Sequence, residues 1–397
     1  MDRRELLLGM TALALGSPGL NDLLAAQSIQ AASQSTGTDN RRLSNRETAG
    51  LRGRVKACVE GSVKTEYDQA GRITSRRWSE NLDGSETIGT SIETWTYDGS
   101  GRLLRATSRD HDGSPAEQVY SYDENGRLLR IIESSGTRTN FQYDEQGRKI
   151  EIRHLAEKPA EARGAVAVGL EVVFGDLEGD SGFGPESAGN ASSIKTTYND
   201  HDQPWETRAY DSDGRLLSRL VRTYDEKGRI TDVKTIVEDP TSMFPAKAQA
   251  DMIKESGVSL DEMRAQLKKA LGSLGESRKS YTYDSQGRIT QAVLNYGVFP
   301  GNVSRTYTYN DRGDVAEERT TFTKTSSGLS EGVMFQADDN GNLIPDKPPS
   351  EWPPQPDLPG PSQVHYTYQY DSYGNWTDRT MTREGSTFTT RRELTYY

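Results

Sequence analysis

The stretch Val119–Ile152, VYSYDENGRLLRIIESSGTRTNFQYDEQGRKIEI, states one phrase twice. An aromatic, a spacer and Tyr-Asp lead into two polar residues, Gly-Arg and a strand-like run. Asp123 is suited to accept a hydrogen bond from the backbone two residues on, and Gly126 to take the left-handed conformation. Together they describe a type I turn closing into a glycine bulge, a common hairpin connection. Tyr120 and Tyr122, like Phe141 and Tyr143, stand two apart and so share one face of a sheet. Leu128 and Ile150 begin the return strands.

The phrase recurs outside this stretch, and internal repetition of this kind governs the reading of a whole chain. It is YDQAGRI at Tyr67, YDGSGRLL at Tyr97, YDSDGRLL at Tyr210, YDEKGRI at Tyr224 and YDSQGRI at Tyr283. Degenerate copies start at Tyr198, Tyr309 and Tyr370, and FQADDNGNLI from Phe335 is an eroded relative. The spacing from Tyr to Gly is four in nine of the ten copies, and the Tyr198 copy carries Asp202 in place of Gly. Aspartate still tolerates that backbone region. Trp95, Tyr281, Tyr307 and Tyr368 repeat the upstream aromatic. An Arg follows Gly in seven copies; its stem is expected to cover neighbouring rings and its head to meet acidic residues one hairpin away. A working site rarely needs ten copies, whereas a sheet with ten turns does, so the phrase is read as a hairpin code.

Composition agrees. With 32% hydrophobic residues and a mean hydropathy of -0.80, the chain sits near the range of disordered proteins. Its 19 tyrosines and 38 glycines suit half-buried strands joined by tight turns instead. A formal charge of -11 argues against a nucleic-acid surface. Cys58 is the one cysteine and His111, His154, His201 and His365 lie far apart, so no metal-ligand spacing and no cofactor fingerprint is read. No GxSxG elbow or phosphate loop is present, and Cys58 has no histidine near it in sequence. Asp338, Asn340 and Asp346 have an oxygen-rich look, but Asx turns account for the same residues.

Residues 1–26 carry Arg3-Arg4 ahead of a short apolar stretch and read as a twin-arginine-like export signal, placing the protein in the periplasm or outside the cell. Nothing is apolar for long enough to form a transmembrane helix. Residues 27–60 read as a flexible linker. Hairpins are expected over 61–155, 191–239 and 279–344, with terminal strands over 364–397. They are interrupted by a loop insertion at 156–190, with a short strand at Leu170–Phe174, and by a Pro-rich loop at 345–363. A helical insertion at 240–278 has Ser259 and Glu262 as a capping box. Its Met263, Leu267 and Leu271 share a face, as a helix covering part of the sheet or docking a partner would need.

The repeated Tyr-Asp-x-x-Gly-Arg from Tyr67 onward resembles the YD-repeat, or RHS-repeat, family. That resemblance implies hairpins joined into a long spiralling sheet, which full-length members close as a shell around a C-terminal toxin; animal relatives act in adhesion. This chain is short by comparison, and its end, TREGSTFTTRRELTYY, reads as a further strand pair rather than an effector. The resemblance supplies no catalytic residues. The expected fold is therefore all-β, an extended, spiralling antiparallel sheet with a small helical insertion. The expected function is a non-catalytic exported module, structural or binding an envelope protein or a glycan, with self-association open. Trp78, Trp95, Trp205, Trp352 and Trp376 are the residues suited to stacking on sugar. The alternatives are a carbohydrate-active enzyme with paired carboxylates, or a partial shell component enclosing a separately encoded cargo.

Overall fold

The computed structural model describes residues 44–78, 91–109, 115–155, 191–239, 241, 253–254, 257–271, 276–296, 301–324, 335–337, 343–345 and 360–397. The expected strand at 170–174, Trp352, and the Asp338, Asn340 and Asp346 group lie outside these residues, as do His111 and the expected signal.

Two compact units are present. One holds 31–178, 309–317 and 363–397. Its strands begin with β1 (Val55–Glu60), β2 (Val63–Tyr67), β3 (Ile73–Trp78), β4 (Ser91–Tyr97) and β5 (Leu103–Arg109). They continue with β6 (Pro115–Tyr122), β7 (Leu128–Glu133), β8 (Arg138–Tyr143) and β9 (Lys149–Leu155). A short helix, α1 (Asn45–Thr48), precedes β1; both fall inside the stretch read as a linker.

The other unit holds 179–308 and 318–362. It contains β10 (Ser193–Tyr198), β11 (Pro204–Tyr210), β12 (Leu216–Tyr224), β13 (Ile230–Val237), β14 (Glu276–Tyr283) and β15 (Ile289–Tyr296). Nearly all of β16 (Gly301–Tyr309) and most of β17 (Val315–Lys324) follow, as does a two-stranded sheet of β18 (Phe335–Ala337) and β19 (Leu343–Pro345). The helix α2 (Leu260–Leu271) lies between β13 and β14, within the expected insertion. Its capping box forms: the Glu262 amide donates to Ser259 Oγ, and Ser259 N–H donates to the Glu262 carboxylate. The chain then enters the first-described unit through β20 (Ser362–Tyr370), β21 (Trp376–Arg383) and β22 (Ser386–Tyr396).

The turns are those the repeat describes. In the Tyr122 copy the Gly126 amide donates to Asp123 O and the Asp123 amide to Arg127 O, with Gly126 at φ 78°. The register slips by one residue between Ser121 and Tyr122, which is the bulge. Asp202 takes φ 60° in the copy without glycine.

The expected open, spiralling sheet is corrected. Twenty strands form one sheet, and its pairing returns to its start, because β22 pairs with β1 as well as with β21. Cys58 lies opposite Leu394 and Glu60 opposite Arg392 in this joining ladder. Among the described residues each of the twenty strands pairs with two others along at least part of its length, so the order of pairing is closed. Hairpin signals report only neighbours in sequence, and this closing pair joins residues more than three hundred positions apart.

One face of each hairpin carries the core. In the unit containing β1–β9, Leu103, Ala106, Tyr120, Leu128, Ile131, Phe141 and Ile152 are buried on it. In the other unit Ile194, Ala209, Leu217, Leu220 and Val233 are buried. The upstream aromatics fall where period two puts them: Trp95 is only 3% exposed.

Candidate functional site

The repeated residues build a ladder. Asp123 Oδ1 accepts from the amides of Asn125 and Arg127, while its Oδ2 accepts from Arg127 Nε at 2.6 Å. The same pairing joins Asp98 to Arg102, Asp144 to Arg148, Asp225 to Arg229 and Asp284 to Arg288. The Arg then lies over the Tyr of the next copy. Arg102 is 5.2 Å from the Tyr122 ring centre, Arg127 is 5.1 Å from Tyr143, and Arg229 is 4.5 Å from Tyr283. The tyrosine hydroxyls donate to backbone carbonyls of the preceding hairpin, as Tyr122 does to Leu103 and Tyr143 to Leu128. So the Arg pairs with its own turn and stacks on the next, where sequence reasoning had paired it one hairpin away.

These contacts set the titration of the repeat. The Arg102 amide and guanidinium hold Asp98 below the usual carboxylate range. At Asp123 desolvation pulls upward, but hydrogen bonds from Arg127 outweigh it and the net shift is downward. Burial pushes the Tyr97 and Tyr120 hydroxyls up, and Tyr67 up to about 12. With acids ionised, phenols neutral and each already bonded, the repeated Asp, Arg and Tyr are committed to structure.

What remains is a set of non-repeat polar residues in the unit containing β1–β9. Arg392 lies 3.6 Å from the centre of the Trp376 ring and Arg379 lies 4.9 Å from it. Glu60 accepts from Arg392 Nε at 2.7 Å and stands 3.9 Å from Arg379. On β3, Arg76 lies 5.6 Å from Trp78 and 5.9 Å from Trp95. The indole Nε1 of Trp95 is buried without a hydrogen-bond partner. Guanidinium on indole is a strong pairing for each group and removes both from solvent.

A second cluster lies on β6–β9. Gln118 stands opposite Glu133, and Tyr120 donates to Gln118 Oε1 at 2.7 Å. Glu133 accepts from Ser135 Oγ, and burial raises its pKa. Thr139 Oγ1 and His154 Nδ1 are 3.0 Å apart, and burial lowers the pKa of that imidazole. The partners of Glu133 are a hydroxyl and an amide, so this is not the paired carboxylate that glycoside hydrolysis requires.

The other expected positions fall as follows. Cys58 is buried, and burial raises its pKa above the usual thiol value, leaving it a poor nucleophile. Trp95 and Trp376 are buried and closed to an incoming sugar, whereas Trp205 is 41% exposed. His365 faces Glu317 at 3.6 Å, and His201 is exposed. Among the described residues no group of three metal-ligating side chains converges, and no helix is long and apolar enough to cross a membrane. The guanidinium–indole stacks and the Glu133 and His154 pairs escaped sequence reasoning although they join residues of one strand or of adjacent strands, because the repeated phrase names the turn residues and not the side chains that fill the strands between turns.

A family model described as RHS Repeat matches residues 122–156. No curated protein matches the chain. Among solved structures, a porin-like protein from Bacteroides uniformis matches at 13% identity and a TM-score of 0.28, over 86% of this chain and 96% of that one. A porin-like protein from Bacteroides vulgatus matches at 10% identity and a TM-score of 0.21, over 87% of this chain and 99% of that one. The TcdB2–TccC3 structure matches at 14% identity and a TM-score of 0.16 over 83% of this chain, which spans 20% of the matched one. Scores of this size carry no argument about fold or function.

Proposed function

Because this chain carries an RHS repeat, we propose that it is a non-catalytic enclosing protein of the bacterial envelope or exterior, a closed ring of YD hairpins that holds a separately encoded passenger chain. The closed pairing of twenty strands carries the reading. Closure pairs the first and last strands, which a tandem sheet otherwise leaves as edges. Rings of about sixteen strands or more generally leave room that their own side chains do not fill. Export through the Arg3-Arg4 signal belongs to this proposal. The glycan-binding reading loses its support at Trp95 and Trp376, which are buried against the chain's own side chains.

The test is recovery of the tagged chain from its native cells under non-denaturing conditions, followed by protease treatment and mass spectrometry. An enclosing protein yields a second polypeptide that resists protease while the ring is folded and is digested once urea opens it. Recovery of this chain by itself, with no protected passenger, overturns the proposal.

A further inference from the structure

We infer that the outer half of the β21–β22 hairpin is a self-association edge, through which two copies of this chain pair β22 to β22 about a dyad at Thr389. The inference does not depend on the enclosing role. β22 is shared unequally between its neighbours. Ser386–Arg391 pair with β21, from Arg383 opposite Ser386 to Asp378 opposite Arg391. The pairing with β1 starts only at Arg392, opposite Glu60, where the β1–β2 hairpin turns. Among the described residues, no strand runs along the second edge of 386–391.

The turn fixes which backbone groups are free. Glu384 and Gly385 have φ of 50° and 80°, as a two-residue type I′ hairpin requires. Arg383 and Ser386 then exchange the first bonds, and alternation turns Phe388 and Thr390 toward β21. Thr387, Thr389 and Arg391 point their N–H and C=O groups outward. Residues 383–389 are exposed on both faces of the ribbon, and Phe388 is 60% exposed. Most of the usual guards of an edge are missing, since the stretch STFTTR has no proline, lysine or acid and no bulge, and its one charge, Arg391, is paired with Asp378 of β21.

A second copy is the occupant this edge fits. Only a register centred on Thr389 pairs all three outward residues, Thr387 with Arg391 of the second copy and Thr389 with itself, for about six backbone bonds. Arg391 then faces a threonine, so no like charges oppose each other. The Thr380–Thr389 hydroxyl pair, 3.1 Å apart, continues as a threonine row across both copies. Phe388 of each copy becomes the diagonal neighbour of the other on the opposite face, within reach of an aromatic pair. The free length ends at Arg392, where the pairing with Glu60 of β1 starts, in both copies alike. The contact is short, so the dimer is weak and concentration-dependent.

Sedimentation velocity of the full chain over a concentration series tests this. The wild-type chain shows a reversible monomer–dimer equilibrium. Thr389→Pro removes an outward donor without touching the β21 ladder, and Thr389→Lys sets two like charges across the dyad. Each weakens association by at least about tenfold. Mixing Thr389→Lys with Thr389→Glu chains restores a dimer that neither forms alone, which a merely misfolded variant does not do. A wild-type chain monomeric at every concentration overturns the inference, as do variants that associate like wild type or a mixture that gains nothing.

Discussion

At the scale of single residues, the turn depends on a glycine in a region that side chains rarely enter. Gly126 has φ 78°, and a Cβ there would find its nearest neighbour, Arg102, at an ordinary 3.7 Å. The penalty for a side chain is therefore backbone strain rather than collision. Gly126→Val is expected to cost about 1–3 kcal/mol, read from the urea midpoint; an unchanged midpoint would contradict the left-handed turn. The aspartates make a second prediction. Asp98, Asp123, Asp144, Asp225, Asp284 and Asp371 are all held below their ordinary range. A folded pKa below the unfolded value stabilises above the unfolded value, and the gain is lost as pH falls through it toward the folded one. His154 behaves likewise around its higher reference value, and Glu133, with a raised pKa, opposes the trend. The urea midpoint should therefore dip modestly below about pH 6.5 and fall steeply below about pH 4. A midpoint that stays level down to pH 3 would show that the turn carboxylates contribute nothing.

At the scale of elements, the helical insertion is held by charge as well as by Met263. Met263 is buried, and Arg264 pairs through Nε with the buried Asp239 at the end of the β13 segment. Lys268 reaches Glu238, which also pairs with Arg219 of β12. Removing one partner of a buried pair leaves the other charge stranded. Arg264→Ala should thus loosen α2 by about 2–4 kcal/mol, seen as faster amide exchange over 260–271 with the β-strands unchanged. Exchange there no faster than in wild type would mean that Met263 and its neighbours hold the helix without the ion pair. Helix and capping box were legible from Ser259, Glu262 and the apolar spacing. The Asp239 and Glu238 contacts were not, since nothing in the repeat says which strand end the helix meets.

At the scale of the whole molecule, the degenerate Tyr370 copy lies beside the pairing that closes the ring. The Tyr370 copy has Asn375 where seven others have Arg. Asn375 is 2% exposed; its Oδ1 accepts from the Arg52 amide at 2.6 Å, and its Nδ2 donates to Arg52 O and to the Tyr396 hydroxyl. At this turn the asparagine binds the segment leading into β1 through its amide, and Tyr396 of β22 bonds both Asn375 and Asp371. Tyr397 completes the seam, its amide bonded to Arg54 O and its hydroxyl to Tyr67 O. Asn375→Ala strands the Arg52 amide and carbonyl and should cost about 2–3 kcal/mol. A thermal melt within a degree of wild type would remove Asn375 from any part in closure.

Local chemistry by itself determined the hairpins of this protein. Tyr-Asp-x-x-Gly-Arg specifies a turn, a bulge and a face, because those depend on φ at one glycine, one carboxylate within four residues and a period of two. It also pointed to Asp, Arg and Tyr as turn and stacking residues, and the contacts they make are of that kind. Tertiary structure alone decided that the sheet closes. It placed β1, a stretch whose composition resembles a linker, against β22, and left Ser386–Arg391 of β22 with β21 as their one neighbour among the described residues. Those outcomes depend on register and pairing between strands far apart in sequence, and a repeat that reports only its adjacent strands carries no information about them.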